Sequence, residues 1–377
     1  MSEIGHTALG AWSGGRFMHF GLPVDEDRLV ALLRTDRDIH TVVTADVYGE
    51  GAADALVGRA LSGLARSSYA LVGALGHDFV HGERQGPRGY PRFTDPALRG
   101  PREYSDYLRA AAERSLERCG TDHFDLLLLH NPDRIGYSSE AVWRALTDLR
   151  DEGLAGALGV APGPANGFTL DLIGCIERFG SEIDWAMIIM SPFEPWPGRL
   201  ALPACERHGV RVIARVVDHG GVFHGDVPEE SELPERDHRA FRPPGWVQHG
   251  RERLARLRPI AERRGLTTLQ LACQWTLAQP AVACVVPTLI QEPGRDARPI
   301  EDKRADLGAV PRELVLDPDE IAAIEEVGEN AGCMALKGGN PAHEGQERAD
   351  SWPLTDDLRA VARRWSIRPD RDLVPAG

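Results

Sequence analysis

Four consecutive leucines, Leu126 to Leu129, set between Asp125 and His130, constrain this chain more than any other stretch. A short run that is apolar at every position suits a strand buried on both faces, as in a parallel sheet covered by helices. Pro132 closes the run two residues after His130. A histidine thus stands at the carboxyl end of a buried strand, the end at which α/β enzymes carry their chemistry.

Similar apolar runs recur roughly every 30 residues, with helical patterns between them, which is the spacing of βα units. Besides the leucine run, strands are expected at 7–12, 41–46, 69–75, 156–160, 185–190, 210–217 and 282–287. Helices are expected at 24–33, 52–64, 102–119, 138–151, 170–179, 202–208, 251–264 and 269–278. Eight strands with alternating helices fit one closed (β/α)8 barrel, a fold of about 250 residues or more with insertions. The barrel is expected over residues 1–330, with a C-terminal extension, 331–377, packing on it. The polar segments after strands three and seven, near 76–99 and 218–244, are too long for ordinary βα loops and are expected to frame the barrel mouth.

The bulk chemistry narrows the function. A net charge of −14 leaves little basic surface for nucleic acid or an anionic membrane. No run reaches the ~18 apolar residues of a membrane helix. The six cysteines contain no CxxC pair, and the start of the chain is polar without an apolar stretch. Both point to reduced thiols and a cytoplasmic location.

The strand ends collect Trp12, Asp46, Tyr48, His77, Asp78, His130, His219 and His224. A buried tyrosine beside a histidine can give or take a proton at a carbonyl oxygen. Tyr48 and His130 are therefore the expected catalytic pair, with Asp46 and His77 as further candidates. Trp12, Asp78, His219 and His224 are the expected substrate contacts. Each also has a plainer reading: a lone tyrosine is commonly a surface aromatic, and loop histidines are commonly solvated. No compact HxH or HExxH pair marks a metal site, and a metal enzyme on His77, His130 and His219 is a lesser alternative. The loop residues Arg84, Arg88, Arg92, Arg239, Arg242 and His224 hint at an anionic or heavily hydroxylated ligand.

Several motifs stand in order along the chain. They are Leu9-Gly10-Ala11-Trp12, then Thr44-Ala45-Asp46-Val47-Tyr48-Gly49, then the leucine run from Asp125 to Pro132. Leu158-Gly159-Val160, the helix at 269–280 and Val286-Pro287 follow. With them, residues 7–330 resemble the aldo/keto reductase superfamily. The resemblance implies hydride transfer from a nicotinamide cofactor to a carbonyl. A tyrosine serves as acid, tuned by a lysine and an aspartate, and a histidine orients the substrate. Tyr48 and His130 match, but the aspartate position holds Val43 and the lysine position holds Ala74, so only half of the catalytic tetrad is retained. Ala161-Pro162 replaces the Ser-Asn pair that holds the carboxamide. After strand eight, Arg295, Arg298, Lys303 and Arg304 are what remains to meet an adenosine phosphate.

A free tyrosine has a pKa near 10, and loss of the neighbouring ammonium should cost an acid-base step roughly two orders of magnitude. The expectation is a divergent member repurposed for acid-base chemistry on a small carbonyl or hydroxyl metabolite, by elimination, isomerisation or hydrolysis, with no cofactor required. The alternatives are an NADPH-dependent carbonyl oxidoreductase with an incomplete tetrad, and a non-catalytic binding protein or subunit.

Overall fold

The structure is a computed structural model that describes residues 1–86, 89–328 and 336–374. The leucine run forms β4 (Phe124–His130), buried at every position. Leu126 and Leu128 face the inside of the sheet, whereas Leu127 and Leu129 pack outward with the helices. This two-residue period puts His130 in phase with the inward leucines.

Seven further strands share the sheet: β1 (Ala8–Gly10), β2 (Thr41–Val43), β3 (Ala70–Leu75), β5 (Ala155–Ala161), β6 (Trp185–Ile189), β7 (Arg211–Arg215) and β8 (Val282–Val286). They run parallel in sequence order, and a parallel bridge from Thr7 to Val285 brings the first strand against the last. The result is a (β/α)8 barrel. Its interior is filled by small and apolar side chains, among them Val43, Ala45, Val72, Ala74, Trp185, Met187 and Ile213.

The helices that matter for the site are α1 (Glu26–Leu33), α2 (Ala52–Leu61), α3 (Tyr104–Cys119), α4 (Arg134–Ser138), α5 (Glu140–Asp151) and α6 (Thr169–Phe179). The short α4 was not anticipated; it starts on the Asp133 carboxylate, which accepts the Gly136 N–H at 2.8 Å. Of the cysteines, Cys119, Cys175, Cys205, Cys273 and Cys284 are buried and free. Cys333 lies outside the described residues, as does Arg88.

The segment after β3 folds back as a short antiparallel pairing of His77 with Arg92. Phe93 N–H donates to Gly76 O at 3.0 Å, and Asp78 N–H to Pro91 O at 2.9 Å. Gly76 itself lies against β4: a Cβ there would come 2.0 Å from the His130 carbonyl, so only glycine permits this approach.

Beyond the barrel, β9 (Gly338–Asn340) pairs in parallel with β10 (Ser351–Pro353). A helix follows at Asp356–Arg364. Trp352 is fully buried and donates from Nε1 to the Asp171 carboxylate of α6 at 2.9 Å. The other Asp171 oxygen accepts the Gly339 N–H at 2.9 Å. Two α6 carboxylates thus hold the described part of the extension, Asp171 and also Glu177, which pairs with Arg364 and accepts Trp365 Nε1 at 2.9 Å. No described helix is long and apolar enough to cross a membrane.

Candidate active site

Four rings meet at the carboxyl end of the barrel. His130 ends β4 and is buried. The Tyr48 ring stands edge-on to it with centroids 5.7 Å apart, and His77 approaches its other side at 5.3 Å. Trp12, beyond β1, meets Tyr48 edge-on at 6.3 Å and donates from Nε1 to Thr288 Oγ1 at 3.2 Å. Tyr48 comes from a tight turn after β2 in which Gly49 and Glu50 take left-handed backbone angles, turning the phenol back over the barrel.

Electrostatics hold this cluster neutral. Burial pushes the Tyr48 hydroxyl up to about 12, against a partial pull down from Arg215. Burial likewise takes His130 down to about 3, helped by Arg92 and Arg215. His77 is held well below the usual imidazole range by burial, then Arg92, then His130. At neutral pH the site therefore presents a neutral phenol and neutral imidazoles, groups that can each donate one hydrogen bond to a substrate oxygen. His130 Nδ1 is buried without a partner among the described residues.

His77 is oriented by three contacts. Its Nδ1 lies 2.9 Å from Tyr90 O and 3.0 Å from Arg92 Nη1, and its Nε2 lies 3.1 Å from Asn131 Nδ2. One ring nitrogen cannot both donate to Tyr90 and accept from Arg92, so the tautomer selects one of the two.

The other sequence candidates lie elsewhere. Asp46 is buried on the outer face of the sheet, in the electrostatic field of Asp54, Arg118 and Arg114 beneath α2 and α3; burial and Asp54 push its carboxyl well above the ordinary range. The inward alternation of Val43 and Ala45 is what turns Asp46 outward. Asp78 is fully buried but pairs with Arg99 and accepts the Val80 and His81 N–H groups at 3.0 and 2.9 Å, fixing the loop rather than facing His130. His219 packs on Glu194 at 3.1 Å, and the same carboxylate meets Arg242 at 2.9 Å. His224 sits against Thr288 O at 2.8 Å, and burial takes it down to about 3. The His77, His130 and His219 trio is thus not assembled as one ligand set.

Of the loop cations, Arg84 lies over the Tyr90 ring and Arg239 is buried between Asp237 and Glu292. The residue that sequence reasoning missed is Arg215, at the end of β7. Its Nη2 donates to Pro162 O at 3.1 Å and also to Gly163 O, across the end of β6. Its signal was faint: a lone arginine closing an apolar strand.

A family model for the Aldo/keto reductase family matches residues 8–329. The chain belongs to that family. It is 25% identical over 344 residues to a probable voltage-gated potassium channel subunit beta from Oryza sativa subsp. japonica, covering 86% of this chain and 93% of the relative. Among solved structures, glycerol dehydrogenase from Gluconobacter oxydans matches with a TM-score of 0.65 at 23% identity, covering 85% of this chain and 90% of that one. An aldo/keto reductase from Klebsiella pneumoniae in complex with NADP and acetate matches with a TM-score of 0.58 at 21% identity, covering 88% and 95%.

The residues available for a nicotinamide dinucleotide are engaged elsewhere. Lys303 is fully buried, its Nζ 2.7 Å from both Asp226 and Ile290 O. Arg298 pairs with Asp306 at 2.9 Å. Arg304 donates to Leu32 O at 2.9 Å, Arg34 O at 2.7 Å and Asp36 at 2.8 Å. Of these four cations only Arg295 is exposed. At the carboxamide position the Pro162 and Gly163 carbonyls already accept Arg215. As arranged, three of the four cations, Arg298, Lys303 and Arg304, are paired within the chain.

Proposed function

We propose that this member of the aldo/keto reductase family acts on a small carbonyl or hydroxyl metabolite by proton transfer, without a nicotinamide cofactor. Tyr48 and His130 would hold one substrate oxygen by two hydrogen bonds, and Tyr48 would supply the proton as charge develops there. Elimination, isomerisation and hydrolysis all pass through such an oxygen. His77 and Asn131 position this end of the site, and Trp12 forms its wall.

One observation carries the reading. The phenol and imidazole meet 5.7 Å apart over a barrel floor that is apolar at Val43 and Ala74, so the pair lacks the charged lysine and aspartate that tune it for hydride transfer. A buried phenol held near 12 still donates a hydrogen bond well and gives up its proton only to a developing alkoxide. The test is turnover of a panel of small hydroxy and keto compounds with nicotinamide omitted. Tyr48→Phe and His130→Ala should each lower it by roughly 100-fold or more. Turnover at the wild-type rate in both variants would refute the assignment.

A second reading is an NADPH-dependent carbonyl oxidoreductase, favoured by family membership and by the NADP-bound relative from Klebsiella pneumoniae. Quenching of protein fluorescence by NADPH separates the two: saturable binding at micromolar concentration supports the oxidoreductase.

A further inference from the structure

Buried cations in this protein usually have a carboxylate. Arg239 lies between Asp237 and Glu292, Lys303 meets Asp226, and Arg242 meets Glu194. Two cations beside His130 have no ion-paired carboxylate among the described residues; Asp133 and Asp350 act on Arg92, and Glu194 on Arg215, only at longer range. Arg92, 6% exposed, donates from Nε to Asn131 O and lies 3.0 Å from His77 Nδ1; its other acceptor is Tyr90 O at 3.4 Å. The half-buried Arg215 donates from Nη2 to the Pro162 and Gly163 carbonyls.

The topology brings them to one place. His130 is in register with Ala161 on the neighbouring strand, and Asn131 N–H donates to Ala161 O at 2.8 Å. Asn131 and Pro162, whose carbonyls seat the two guanidinium groups, are therefore the next residues on adjacent strands about 5 Å apart. Asn131 takes a left-handed φ of 47°, which turns its backbone at this point. Two buried polar atoms here have no partner among the described residues: His130 Nδ1 and the Tyr137 hydroxyl. Both side chains feel the charge of both arginines. Beside Arg215 a small cavity is lined by Pro162, Gly163, Asn166 and Thr169, and the Thr169 hydroxyl is also unpartnered. A separate surface depression, at Arg66, Glu117 and Thr121, lies at the other end of the barrel, near the amino ends of β3 and β4.

We infer that Arg92 and Arg215 form an oxyanion site flanking His130, which holds a carboxylate or phosphate group of the substrate beside Tyr48. Removing a charge from water without a counterion costs several kcal/mol, and carbonyl acceptors return only part of it. A small anion supplies the missing charge, and an arginine fork matches its paired oxygens. This inference rests on the reading that Tyr48 and His130 are the reacting end, and it names the class of compound that end receives.

Binding is measured without turnover, so its outcome is separate from that of the acid-base reading. Titration calorimetry with malonate and with inorganic phosphate, at matched chloride concentration, supplies the two probes. Saturable binding of either is expected in the wild-type protein, and the stronger of the two identifies the group. Arg215→Gln should weaken it at least tenfold, the scale of one charge-assisted hydrogen bond. Arg215→Lys, which keeps the charge without the fork, should restore part of it. Arg92→Gln should act in the same direction. Should Arg92→Gln fail to fold, the two Arg215 variants decide. Absence of saturable binding in the wild-type protein, or equal binding in Arg215→Gln, overturns the site. Loss of binding in Arg215→Gln with undiminished nicotinamide-free turnover of uncharged compounds would leave the anion site standing and move the chemistry to neutral substrates.

Discussion

The corner of the barrel beyond β7 and β8 and the corner beyond β4 and β5 both bury positive charge, and they treat it in opposite ways. In the first, Lys303 is fully buried on Asp226, and Arg239 is clamped by Asp237 and Glu292. In the second, Arg92 and Arg215 rest on backbone carbonyls. A neutralised cation is a fastening: it ties the segment after β7 to the segment after β8 and leaves little charge for a ligand. A cation on carbonyls alone keeps its field, and that field is felt by His130. The residues that the family resemblance assigns to the cofactor belong mostly to the fastened corner, and the retained catalytic pair sits at the corner whose charge is free.

The comparison can be broken at either corner. The largest effect is expected at the fastened one. Asp226→Asn leaves the Lys303 ammonium buried without its partner and should cost roughly 3–5 kcal/mol in urea unfolding. A loss below ~1 kcal/mol would mean that Lys303 can reach water and that its corner is open to a ligand after all. At the other corner, Arg215→Gln removes a charge with no carboxylate in ion-pair contact, so its stability should change by less than ~1 kcal/mol, or rise. A loss as large as that of Asp226→Asn would make Arg215 a fastening too.

The smallest signal is a proton that fails to bind. His130 is held neutral down to about pH 3, so its ring resonances should not move between pH 8 and 5, where a free histidine titrates near 6.5. Because its folded pKa is depressed, the unfolded chain takes up the proton first. Native stability from this ring is therefore lost progressively as pH falls below about 6.5. Arg92→Gln should move the titration of His130 upward, toward 6.5. An unmoved value would leave burial alone, the larger cause, to account for the shift.

Several of these assignments were open to the sequence and several were not. The period-two phase of Leu126 and Leu128 already aimed His130 inward, and the same alternation, carried from Val43 and Ala45, would have turned Asp46 outward. Asp78, His219 and His224 look alike in sequence: polar residues in long loops. Which carboxylate or carbonyl each would find depends on chain segments many residues away, as with His224 and Thr288.

By itself, then, the sequence determined the barrel and the pairing of phenol with imidazole. Strand burial and turn geometry are local properties, written in neighbouring residues. Only the tertiary structure decided which cations were spent. Arg298 and Arg304 read as free charges along the chain and proved to be fastened, whereas Arg215, an unremarked residue closing β7, reaches across β6 to the carbonyls beside His130. Neutralisation of a buried charge is set by whatever group the fold brings within about 3 Å, and that distance has no counterpart in the order of the residues.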